Sequence, residues 1–164
     1  MTTPGYHPGY QQMQVNAASR AELADHVAGD AKGARVELRV PASAVHIPTV
    51  RTVAADLAGR QDFDLDGIHD FRMAVDEACS QLVAFAAAGT ALRCLFIVMP
   101  EQIDVIATVS VVAPVRIPTN TFGWQVLSTL TELAEPVQLP DVPEGHVPEL
   151  GIRLRVSRDR ITGA

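Results

Sequence analysis

The sequence predicts an α+β fold: a two-layer sandwich of helices packed on one face of a mostly antiparallel sheet. Three observations carry this. Two long segments place apolar residues at spacings of three and four, two β-branched runs are joined by a four-residue turn, and the last apolar segment alternates with arginine. In chain order the segments read β, α, α, β, β, α, β, β. At 164 residues and 48% hydrophobic, the chain suits one domain over 34–160, preceded by a flexible tail over 1–33.

The tail carries PGY twice and sustains no apolar period, though Ala18–Val27 has the makings of a short helix behind Ser19, whose Leu23, Ala24 and Val27 could dock on the sheet or a dimer partner. Val36, Leu38 and Val40 alternate with Glu37 and Arg39 and end at Pro41, a first strand. Ile47, Val50, Val53, Ala54 and Leu57 recur at helical spacing, with Pro48 in the first turn and Gly59 as the stop. The stripe Ile68, Phe71, Val75, Ala78, Leu82, Phe85 marks a second, longer helix over about 66–88, closed by Gly89. Ala91–Val98 and Ile103–Val112, joined by MPEQ, form a hairpin. Phe122–Ala134 returns to helical spacing and is blocked by Pro136; Val137–Leu139 is a short strand, and Ile152, Leu154 and Val156 lie on the last one.

Charge narrows the partners. Thirteen Lys+Arg against nineteen Asp+Glu give a net charge of -6, so direct nucleic-acid binding, which needs clustered cations over phosphate, is not expected. No run approaches the roughly 20 apolar residues of a membrane helix and no signal peptide opens the chain, so the expected location is cytoplasmic, with no membrane partner. Cys79 and Cys94 sit in apolar stretches without metal spacing and read as reduced thiols; His7, His26, His46, His69 and His146 show no metal spacing either.

On the second helix, Asp70, Glu77 and Gln81 project within about 40° of one another, beside the apolar stripe. A carboxylate and an amide one turn apart suit a base that takes a hydroxyl proton, or oxygen ligands for a hard cation such as Mg²⁺; they equally suit a solvated helix edge. A catalytic pair of Asp70 and Glu77 in a metabolic enzyme is a further reading of the same face. Lys32, the only lysine, lacks the glycine spacing of a Walker loop.

The stretch DFRMAVDEACSQLV (Asp70–Val83), ahead of a strand hairpin and the helix start TFGW, resembles the anti-sigma-factor serine protein kinases, small bacterial regulators of the GHKL, histidine-kinase-like ATPase fold. The resemblance covers about residues 35–158. It implies that Glu77 is the general base for the attacking serine and that Gln81 stands at the position of the Asn that holds Mg²⁺ of an ATP–Mg²⁺ cofactor. Thr121 and Gly123 fall at the two glycines of the family's phosphate-binding GxG. It also implies that Arg51, on the polar side of the first helix, meets the protein partners.

Three departures accompany the resemblance. Gln81 replaces Asn on a longer stem, Thr121 replaces a glycine, and Val105–Thr121, where the family carries DxGxG, contains no Asp, Glu or Gly. A lost hydrogen bond to a charged acceptor costs roughly 10- to 150-fold in affinity. The function implied is a cytoplasmic homodimer that sequesters a sigma factor, regulates transcription, and is antagonised by a STAS-type anti-anti-sigma protein. Phosphorylation of that antagonist on serine requires that ATP binds. The alternative is a non-catalytic GHKL interaction module without sigma binding.

Overall fold

The computed structural model describes residues 23–138 and 144–159. The elements follow as β1 (Ala34–Pro41), α1 (Ile47–Arg60) behind a 3-10 turn, α2 (Leu65–Phe85), β2 (Ala91–Met99), β3 (Gln102–Ser110), α3 (Phe122–Leu130), β4 (Leu133–Val137) and β5 (Glu149–Ser157). All five strands form one antiparallel sheet in the order β1-β2-β3-β5-β4. Pro136 is tolerated within β4 because that strand lies at the sheet edge.

The helical stripes do what their spacing requires. Val50 and Ala54 of α1, Phe71, Val75 and Leu82 of α2, and Leu127 of α3 form one buried cluster with Phe96, Val105, Ile152 and Leu154 of the sheet. Each fully buried Leu, Ile or Phe contributes about 1.5–3 kcal/mol, so this layer fixes where the helices sit. The side chain of Asp64 caps α2 by accepting from the Gly67 N–H at 2.7 Å.

Besides β3, which ends at Ser110 rather than Val112, four boundaries differ from the sequence expectations. Gly59 lies inside the last turn of α1, and Asp62, at φ 58°, makes the left-handed turn instead. α2 stops at Phe85 rather than at about residue 88. α3 ends at Leu130, where Thr131 turns its hydroxyl back onto the Leu127 carbonyl, and Leu133–Val137 pairs with β5. The short strand therefore starts four residues before Val137, because strand pairing outweighs the apolar spacing of Leu133.

The fourth difference is at the N-terminus. Of the stretch expected as tail, residues 23–28 are helical and lie on the sheet face opposite α1–α3. Ala24 and Ala28 are buried against Leu95, Ile97 and Ile106, and Arg35 reaches Asp25 and the Gly29 carbonyl. Leu23, Ala24 and Val27 mark a short apolar face in the sequence, but the sheet face it meets has no local signal. Ser19 lies outside the described residues.

Candidate functional site

With Phe71, Val75, Ala78 and Leu82 held in the core, the helical period turns Glu77 and Gln81 toward the start of α3. Gln81 Nε2 donates to Glu77 Oε1 at 2.8 Å. Directly opposite, Thr121 caps α3, its Oγ1 accepting from the Trp124 N–H at 3.2 Å. Gly123 then packs onto the pair: a Cβ at this position would stand 2.2 Å from Glu77 Oε1 and 2.7 Å from Gln81 Nε2. Only glycine lets the helices approach this closely with those rotamers. The structure thus brings Glu77, Gln81, Thr121 and Gly123 to one seam, with a carboxylate against the first turn of α3, where peptide dipoles favour an anion.

Toward the N-terminal half of α2 the seam opens into a cavity of about 390 Å³, lined by Arg51, His69, Arg72, Met73, Asp76, Glu77 and Val126. Arg51 Nη1 meets Asp76 Oδ1 at 2.9 Å, with both side chains over a third exposed; such a pair is worth about 1 kcal/mol at most. Gln81, Thr121 and Gly123 take no part in the lining. Asp70 is not brought to Glu77. It faces a second cavity with Asp64, Asp66, Leu130 and Arg158, so the two carboxylates of the metabolic-enzyme reading line different cavities.

Asp76, Arg72 and Met73 were not singled out by sequence reasoning. The spacing His69, Arg72, Met73, Asp76 is a helical face and was there to be read. The contact of Arg51 with Asp76, 25 residues away, has no local signal. The segment after β3 is also informative: Val111 and Ile117 are buried and Val115 packs beside them, so these side chains add to the core.

No family model matches the chain. Among curated proteins, the anti-sigma-F factor RsbW of Mycobacterium tuberculosis (strain H37Rv) is 33% identical over 107 residues, covering 63% of this chain and 62% of that protein. The serine-protein kinase RsbW of Bacillus cereus (strain B4264) is 35% identical over 52 residues, 32% of each chain. Over these stretches the chain is similar to proteins named anti-sigma factor and serine-protein kinase. It spans about three-fifths of the length of the first of these relatives, and its sheet and helix layers are those of a GHKL-like fold.

The resemblance to anti-sigma kinases implies ATP and Mg²⁺, and the residues at this seam do not fit them. Gln81, one methylene longer than Asn, spends its amide N–H on Glu77, the carboxylate that would serve as base. Gly123 fills the space against both side chains. Where the kinases that the sequence resembles carry an acidic residue for the adenine, Val105–Thr121 has none, and its Val111 and Ile117 are turned into the core.

Proposed function

We propose that the chain is an anti-sigma factor: it sequesters a sigma factor and is antagonised by a STAS-type anti-anti-sigma protein, working as a cytoplasmic homodimer in transcription regulation. The observation that carries the reading is the identity to a protein named anti-sigma-F factor over 107 residues, on a described fold whose core is complete. The surface is suited to a protein partner. Arg51 and Arg72 flank the half-exposed Met73 in the cavity beside Glu77, and the exposed Phe122 stands next to Gly123. Arginine, methionine and aromatic side chains are the residue types that protein interfaces favour.

The proposal is confined to binding. Serine-kinase activity belongs to the name of the Bacillus relative, and the closed seam supports no phosphoryl-transfer step here. Affinity purification of the tagged full chain from the cells that produce it, with the retained proteins identified by mass spectrometry, tests the reading. A retained sigma subunit of RNA polymerase, released on adding a STAS-domain protein, is the expected result; no sigma subunit in repeated preparations would contradict it. Arg51→Glu sets a carboxylate against Asp76 and the partner, and is expected to weaken the sigma complex at least about tenfold. An unchanged dissociation constant would remove Arg51 from the interface.

A further inference from the structure

We propose that the Glu77–Gln81–Gly123 contact is a structural clasp joining α2 to α3, so that this chain holds its partner-binding form without a nucleotide. What the chain binds rests on the anti-sigma reading; the clasp rests on geometry alone.

The start of a helix attracts phosphate for two reasons: unpaired N–H groups and the positive end of the peptide dipoles. In α3 the Trp124 N–H and the dipole end both already face groups of the chain itself. Thr121 Oγ1 accepts from the Trp124 N–H, and the Glu77 carboxylate lies against Gly123. The same carboxylate accepts from Gln81, so the paired side chains of α2 pack as one unit against the first turn of α3. A triphosphate entering here must turn both side chains away and part the helices. It would then find no acidic acceptor for its base in Val105–Thr121, whose Val111 and Ile117 are committed to the core. Glu77, the family's catalytic position, becomes in this chain a positioning residue that orients α3 through Gly123.

The experiment uses the purified full chain alone, so its outcome is independent of whether a sigma partner is found. Calorimetric titration with Mg-ATP is expected to show no saturable binding up to about 1 mM, and a dissociation constant clearly below that overturns the proposal. Glu77→Ala removes the clasp and is expected to lower Tm by about 5 °C, whereas Glu77→Gln keeps an acceptor for Gln81 and is expected to stay within about 2 °C of the parent. A Glu77→Ala variant as stable as the parent, or more stable, is the behaviour of a catalytic carboxylate held at a cost, and contradicts the clasp. Should Glu77→Ala not fold, the titration of the parent chain still decides.

Discussion

Asp104 is 1% exposed and remains charged because Arg153 reaches it at 2.9 Å and Arg155 grips it with two bonds of 2.9 Å each. Burial pushes its carboxyl up, and the hydrogen bonds from Arg155 and Arg153 more than reverse this, holding it below the usual carboxylate range. Glu37 is lowered by its bond from Arg93, against the opposing effect of burial. A depressed folded-state pKa contributes stability that is whole above the unfolded value of about 4 and is lost as pH falls through the folded value. Stability is therefore expected to be flat from neutral pH to about 5 and to fall below about 4, as followed by urea midpoints. Asp104→Asn leaves two arginines partly uncompensated, with an expected cost of about 2–4 kcal/mol; a loss under 1 kcal/mol would mean that solvent already screens them. The buried thiols of Cys79 and Cys94 lie 3.9 Å apart, and the Cys94 thiol together with burial pushes Cys79 well up. Both are expected to be silent to a thiol reagent in the folded chain and to react fully in denaturant. Their burial was legible from the apolar runs around them. Their contact was not, because it joins α2 to β2 through the fold.

At the scale of elements, legibility follows how much of an element's position is set locally. The long stripe of α2 predicted its helix to within a few residues, since six apolar side chains share one face. α3 was drawn too long because Leu133 continues its spacing, while the pairing of Leu133–Val137 with β5 is a non-local fact. Glu77 and Gln81 were visible as one face; that Gly123 closes on them needed the third dimension. Residues 23–28 read as tail, with Leu23, Ala24 and Val27 as the side chains able to dock; Leu23 and Ala24 are buried, and where they dock is a non-local fact. Ala24→Asp sets a carboxylate against Leu95, Ile97 and Ile106 and is expected to lower the urea midpoint, at unchanged slope, by the equivalent of about 2–4 kcal/mol. A midpoint equal to that of the parent would show that this helix does not hold the outer face of the sheet.

For the whole molecule, the sheet divides the labour. Its inner face packs α1–α3 and so sets the seam at Glu77 and the cavity at Arg51, while its outer face carries the Glu37–Arg93 and Asp104–Arg153–Arg155 pairs beside the docked residues 23–28. Among the described residues no helix is long and apolar enough to cross a membrane. The proposed binding surface and the proposed clasp both use α2, so a chain with this seam closed is predicted to need nothing but its protein partner. Titration of the purified sigma subunit into the full chain, once without nucleotide and once with Mg-ATP at about 1 mM, tests that most directly. The account predicts saturable binding in both, with dissociation constants within about twofold of each other. Saturable binding only in the presence of Mg-ATP, or none in either, would contradict it.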